Sequence, residues 1–172
     1  MSQCKSAHGS LSSSSPCIDE AMAADAILDK AFSGLFADEA ASIEILKEAS
    51  GDTVLHKDLK VCEGKGQFIP GISLRGKAEQ RKALLLIAIG EPDPVVSRRL
   101  LIGRADTVKL RIAITSRYQV LFAWLQDFRR AALANGFAEY RSCRKYIVGL
   151  CSSDIDKHNR AARSAVRWLV RY

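Results

Sequence analysis

The chain has 172 residues, of which 48% are hydrophobic, a combination typical of a globular protein and not of a disordered one. Its net charge of +7 is unevenly distributed, since residues 1–72 carry 6 Lys/Arg against 11 Asp/Glu and residues 73–172 carry 20 against 8. No apolar run approaches the roughly 18 residues of a membrane span, and no secretory signal is recognisable. We therefore expect a cytoplasmic protein with free thiols and no membrane partner.

The acidic half is predicted to contain a tail followed by helices. Residues 1–15 are rich in serine, which predicts a disordered tail. Residues 16–66 are predicted to form an acidic helical region that offers a surface to a protein partner. The second helix of this region is predicted from Asp38 to Ala49. Two short strands are predicted after that helix: Thr53 to His56 and Leu59 to Cys62.

In the basic half, a phrase of seven residues occurs twice, as Ser97 to Gly103 and, 46 residues later, as Cys143 to Gly149. Both copies read small, basic, basic, three large apolar or aromatic residues, and glycine. An earlier glycine, Gly90 or Gly136, precedes each copy's last glycine by 13 residues. A match at fixed spacing indicates one supersecondary unit used twice.

Each unit is predicted to run in the order strand, helix, glycine turn, helix. In the second unit, Thr107 to Thr115 alternates between apolar and polar residues, as a half-buried strand does. A helix follows from Ser116 to Asn135, and another from about Ala138 to Leu150. The first unit has corresponding segments: Gln67 to Arg75, Lys77 to Ile89, and Asp93 to Ile102.

This order of elements resembles the ribbon-helix-helix superfamily of DNA-binding proteins, in its single-chain tandem form associated with DNA transfer. The resemblance covers residues 67–150 and rests on the element order, the repeated phrase and the basic pair Lys109 and Arg111. It implies that two strands pair into a ribbon that enters the DNA major groove, above four helices. The expected fold class is mainly α with a small two-stranded antiparallel β ribbon.

Side chains on the outward face of the ribbon are the predicted DNA-binding residues, because they carry donors that can reach base edges. They are Thr107, Lys109, Arg111, Thr115, Ser73 and Arg75. The alternative interpretation is that this face is the solvated side of a strand.

Basic residues on the later helices are predicted to contact phosphates, which positions a protein on DNA without specifying sequence. They are Arg98, Arg99, Arg144, Lys145, Arg160, Arg163, Arg167 and Arg171. The last four form an arginine edge on an amphipathic helix within residues 151–172, which Asp154 can cap. A solvated helix face is the alternative for all of them.

The three histidines and five cysteines show no catalytic or metal-ligand spacing. The sequence therefore predicts a non-enzymatic DNA-binding protein without a cofactor, a regulator or an accessory factor in DNA transfer or replication. Two alternatives stay open. One is a helical adaptor whose acidic and basic halves mediate self-association, and the other is an RNA-binding helical protein of a mobile element or virus.

Overall fold

In the computed structural model, the described residues are 38–63, 74, 76–151 and 153–171. Within these ranges the chain forms seven α-helices and one two-stranded antiparallel sheet, so the predicted fold class is confirmed. The helices are α1 (Glu39–Ser50), α2 (Thr53–Glu63), α3 (Lys77–Ile89), α4 (Asp93–Leu100), α5 (Arg104–Arg117), α6 (Gln119–Asn135) and α7 (Ile155–Leu169). The strands, which lie between α6 and α7, are β1 (Phe137–Tyr140) and β2 (Cys143–Tyr146).

Helix α3 forms the centre of the core because it is buried on every side. Each residue from Ala83 to Ile89 is at most 2% exposed, as in a helix that is surrounded by other elements. Helices α1, α4, α5 and α7 all pack against it. Gly90 ends the helix with a φ of 89°, a conformation that glycine adopts without steric cost.

Asp52 fixes the acidic helices to α6. One of its carboxylate oxygens accepts hydrogen bonds from the backbone N–H groups of Val54 and Leu55, at 2.9 and 3.0 Å, and so caps α2. The other oxygen accepts from the N–H of Leu121, at 3.0 Å, in the first turn of α6. A single carboxylate therefore satisfies donors at the starts of two helices.

Several predicted helices are confirmed. The helix predicted from Asp38 to Ala49 is α1, with Asp38 as its N-cap. Helices α3, α4 and α6 match their predicted segments closely, and the C-terminal helix α7 is capped by Asp154 as expected. The predicted tail, residues 1–15, lies outside the described residues, as does the part of the acidic helical region that precedes Asp38.

The two short strands predicted at residues 53–56 and 59–62 are wrong, because both segments belong to α2. Leu55 and Leu59 are both buried and lie four residues apart, which places them on one face of a helix. The N-cap provided by Asp52 supplies the local start signal that the prediction overlooked.

The strand predicted at residues 107–115 is also wrong, because this segment lies inside α5. Its alternating pattern fits a strand, but the buried residues of the helix, Thr107, Leu110 and Ile114, follow a helical step. Ile112, which the strand pattern would bury with Leu110, is 60% exposed. The segment is compatible with the two-residue period of a strand and with the 3.6-residue period of a helix. Its packing against α3 and α4 favours the helix.

The helix predicted from about Ala138 to Leu150 is wrong. The first residues of this segment instead belong to a β-hairpin formed by β1 and β2. Strand β1 pairs with β2 in a register that places Phe137 opposite Tyr146. The two connecting residues, Arg141 and Ser142, have φ angles of 47° and 66°. Positive φ at both central residues is typical of the two-residue turn that matches the twist of a hairpin.

The repeated phrase consequently does not mark a repeated unit. Its first copy ends α4, whereas its second copy forms β2. Gly90 and Gly136 do act alike, since each ends a helix with positive φ. The first unit's predicted strand, Gln67 to Arg75, lies outside the described residues apart from Leu74. The ribbon-helix-helix resemblance itself stays a prediction, but residues 107–115 do not supply its ribbon.

Candidate nucleic-acid interface

The predicted DNA-reading residues of segment 107–115 lie on α5, and most of them are engaged inside the fold. Thr107 is fully buried, and its hydroxyl donates to a backbone carbonyl one turn earlier, at 3.0 Å. The Thr115 hydroxyl donates to the carbonyl of Arg111, at 2.8 Å. Lys109 remains open to solvent, with 80% of its side chain exposed. The other two predicted contacts lie outside the described residues: Ser73 and Arg75.

Arg111 joins α5 to the start of α4. Its Nε donates to the Asp93 carboxylate at 2.7 Å, and a terminal nitrogen donates to the backbone carbonyl of Glu91. The guanidinium is half-buried in this arrangement. Its donors are therefore directed at the protein itself, and the proposed base readout by Arg111 is replaced by a role in fixing the turn between α3 and α4.

The arginine edge of α7 divides into residues that serve the fold and residues that face outward. Arg167 forms an ion pair with Glu91, whose side chain is only 4% exposed. Arg163 is half-buried, and its side chain lies beside Gly90. Arg160 and Arg171 are exposed. Two of the four predicted phosphate contacts thus remain accessible at the surface.

A pair of arginines lies at the carboxyl end of α3. Arg129 of α6 donates to the backbone carbonyl of Ala88, in the last turn of α3. Burial lowers the pKa of the Arg129 guanidinium, and the nearby charge of Arg163 lowers it further. Both cations lie where the dipole of α3 is negative, which offsets part of their mutual repulsion.

The remaining predicted phosphate contacts lie on α4 and on the hairpin. Arg98 and Arg99 occupy the last turn of α4, where positive charge complements the helix dipole. Arg144 of β2 pairs with Glu139 of β1 at 3.2 Å. Lys145 is exposed beside it.

Arg81, on the first half of α3, is a basic residue that sequence reasoning missed. Its Nε is buried and has no hydrogen-bond partner in the described structure. A buried polar donor without a partner loses the free energy of its hydration, so such atoms are rare in folded proteins. Its neighbour Lys82 is half-buried as well. The only sequence signal is a basic pair directly before the apolar run of α3, in a first half that is itself polar.

Glu39 faces this basic pair from the first turn of α1. Burial raises the pKa of its carboxyl group, and the charges of Lys82 and Arg81 act against that rise. The same end of α1 also receives the end of α7, because the Ser42 hydroxyl donates to the carbonyl of Val170 at 2.8 Å. Arg171 follows Val170 directly, so basic residues of α3 and of the segment after α7 lie near one end of α1.

None of the helices in the described ranges is long and apolar enough to cross a membrane. Among the same residues, no group of three or more His, Cys, Asp or Glu side chains is placed to hold a metal ion. Two of the cysteines, Cys143 and Cys151, are exposed and belong to no disulfide.

No protein-family model matches the chain, and no curated protein is detectably similar to it in sequence. Among solved structures, the chain is similar to the POL domain of Pol1 from M. smegmatis, in complex with DNA primer-template and dNTP. The TM-score is 0.62 at 18% identity, over 77% of this chain and 25% of that one. The chain thus spans about a quarter of the length of that structure. At this identity the likeness establishes a shared fold, and, since the similar structure is a polymerase domain, it gives no support to the predicted absence of enzymatic activity.

Proposed function

We propose that this chain is a nucleic-acid-binding protein that binds DNA through phosphate contacts, with Arg81 as the central contact. The observation that carries the proposal is the buried Nε of Arg81, which has no hydrogen-bond partner among the described residues. A phosphate oxygen would satisfy that donor with a charge-assisted hydrogen bond, the strongest class that a guanidinium forms. Direct base readout by residues 107–115 is not part of the proposal.

The surroundings of Arg81 favour an anion. Lys82 follows it in sequence. Among the described residues, Glu39 faces both of them, and burial raises the pKa of its carboxyl group. Within the described residues, these two cations therefore face one carboxylate. Exposed Arg171 lies at the same end of α1. This local excess of positive charge suits a phosphate backbone.

The comparison with solved structures supports DNA as the source of the phosphate. The similar polymerase domain was solved with DNA primer-template bound, and its fold matches 77% of this chain. Among the roles that the sequence predicted, an accessory factor in DNA replication agrees best with this likeness. The support is an analogy of fold, so the residues that bind must be identified on this chain itself.

The test is a titration of the full chain with a fluorescently labelled primer-template DNA, followed by fluorescence anisotropy at several salt concentrations. We expect Arg81→Gln to weaken binding about tenfold, which corresponds to about 1.4 kcal/mol. It should also reduce the slope of log K against log salt by about 0.9, the value for one lost phosphate contact on duplex DNA.

Arg130→Gln is the matched control, because Arg130 is 69% exposed and pairs with Asp127 on its own helix. This variant removes the same charge from the chain without touching the Arg81 site. Equal losses in the two variants would show that only net charge matters. Unchanged binding in Arg81→Gln would contradict the proposal.

A nucleotide triphosphate is the second candidate ligand for the same site. The similar structure also contains a dNTP, and a triphosphate offers the oxygens that Arg81 and Lys82 would bind. A competition experiment separates the two sources of phosphate. If millimolar dNTP displaces labelled DNA from the wild-type chain but not from Arg81→Gln, the nucleotide is favoured as the ligand. If dNTP does not displace the DNA, the DNA backbone is favoured.

A further inference from the structure

The hairpin between α6 and α7 presents an aromatic and basic surface to solvent. Its register places Phe137 opposite Tyr146 and Glu139 opposite Arg144, so these four side chains share one face of the two strands. We call this set the hairpin face. Tyr146 is 74% exposed, and Val148, just beyond β2, is fully exposed. Large apolar side chains that remain exposed together are typical of binding surfaces.

The rings and the guanidinium on the hairpin face already contact one another. The centroids of the Phe137 and Tyr146 rings lie 5.5 Å apart, with their planes tilted by 59°. The guanidinium carbon of Arg144 lies 5.0 Å from the centroid of the Phe137 ring, in cation–π contact. One side of Phe137 is therefore taken by Arg144, while most of the Tyr146 surface remains open to a ligand.

The hairpin is held in place, so this surface is preformed. Arg141, in the turn, forms an ion pair with Glu48 on α1. Ala138 is fully buried on the opposite face and belongs to the hydrophobic cluster that includes residues of α6 and α7. A ligand that binds here does not have to order the strands first, which lowers the cost of binding.

The charge of the hairpin indicates what kind of ligand fits. Three basic residues lie within the hairpin: Arg141, which pairs with Glu48, Arg144, which pairs with Glu139, and the exposed Lys145. Exposed aromatic rings interleaved with basic side chains are the combination that binds single-stranded nucleic acid, because each base offers a flat face for stacking while cations meet the backbone. A base in a duplex is already stacked on both sides and cannot offer its face.

We propose that the hairpin face binds an unpaired stretch of nucleic acid, with one base stacked on Tyr146 and the backbone alongside Arg144. This inference rests on the proposed function and extends it, because it assigns the single-stranded part of the ligand to a surface distinct from Arg81. A template strand that continues beyond a primer would then contact the protein in two ways: its duplex part through phosphate contacts and its unpaired part through stacking.

The test compares two labelled ligands of one sequence, a single-stranded 12-mer and its blunt duplex, each titrated with the full chain. We expect Tyr146→Ala to weaken binding of the single strand about tenfold, as the loss of one stacked base does. Binding of the blunt duplex should stay within twofold. Tyr146→Phe should keep the affinity for the single strand, because it keeps the ring.

Ile155→Ala is the control for removal of an exposed apolar side chain, since Ile155 is 76% exposed at the start of α7. It should leave both affinities unchanged. A single strand that carries 2-aminopurine provides a second readout, because stacking on Tyr146 should quench its fluorescence in the wild-type chain and not in Tyr146→Ala.

The two proposals fail in different ways. Unchanged single-strand binding in Tyr146→Ala, with Arg81→Gln still impaired on primer-template DNA, would overturn the stacking proposal alone and leave the hairpin face for a protein partner. Equal loss of single-strand and duplex binding in Tyr146→Ala would also overturn it. If the wild-type chain binds neither ligand, the proposed function fails first.

Discussion

The two copies of the repeated phrase show how different structures can arise from similar residues. Ser97 to Gly103 ends helix α4 and leads into α5, whereas Cys143 to Gly149 forms strand β2 and the turn after it. The first apolar position of the phrase shows the contrast. Leu100 is 6% exposed, while its counterpart Tyr146 is 74% exposed. Leu101, the next residue, is 91% exposed.

The difference originates upstream of the phrase and not within it. In the first copy, Asp93 and Pro94 start a helix directly after the turn at Gly90, and the helix continues into the phrase. In the second copy, Gly136 is followed by four strand residues, and the positive φ angles of Arg141 and Ser142 then turn the chain back. The phrase has no fixed structure of its own, because the preceding residues decide which side chains reach the core.

Truncation of the equivalent residues Leu100 and Tyr146 should give the largest difference between the copies. We expect Leu100→Ala to lower the free energy of unfolding by about 3 kcal/mol, because it leaves a cavity in the core. Tyr146→Ala should cost about 0.5 kcal/mol, as surface substitutions do. Urea unfolding followed by circular dichroism measures both. Equal losses would mean that the hairpin face is covered in solution.

The glycines that end the two copies should differ by a smaller amount. Gly149 has a φ of 93°, and a Cβ there would lie 3.4 Å from the carbonyl oxygen of Lys157. We expect Gly149→Ala to cost about 1–2 kcal/mol, the cost of a left-handed conformation for a residue with a side chain.

Gly103→Ala is the matched substitution, because Gly103 has an ordinary φ of −64° and serves as the N-cap of α5. It should change stability by less than about 0.5 kcal/mol, since Ala is a poor N-cap but loses less conformational freedom on folding. Thermal unfolding of both variants under one set of conditions gives the comparison. A larger loss in Gly103→Ala than in Gly149→Ala would contradict the φ argument.

The helices that sequence reasoning found have strong local signals. Asp38 and Asp154 are N-caps, and Gly90 and Gly136 end helices. Such signals depend on neighbours in sequence and can be recognised without knowledge of the fold. Segment 107–115 lacked one, since Gly103 caps α5 without a side chain, and the alternating residues fit a helix and a strand equally well.

The candidate site was harder to predict, because partners separated by many residues decide which cations are available. Arg111 and Arg167 looked like surface donors in the sequence, but both are committed to the turn at residues 91–93. Arg81 gives almost no signal in the sequence, although its buried Nε has no partner within the described part of the chain. A count of basic residues predicts the net charge of a region, and only the packing shows which of those charges face a ligand.

A further small effect within the phrase concerns Leu101, which ends α4 with a φ of 54°. A left-handed conformation costs a leucine roughly 1–2 kcal/mol, and glycine avoids this cost but loses more freedom on folding. We expect Leu101→Gly to raise the free energy of unfolding by about 0.5 kcal/mol, the difference between these two effects. Leu101→Ala is the control, because it removes the same exposed side chain and keeps the cost of positive φ; it should leave stability unchanged. Urea unfolding measures the stability of both variants: with equal m-values, a shift of the midpoint reports a change in the free energy of unfolding. If alanine stabilises the chain as much as glycine does, the exposed leucine side chain and not the backbone conformation is the source of the lost stability. The two copies of the phrase would then differ in their surface rather than in their backbone strain.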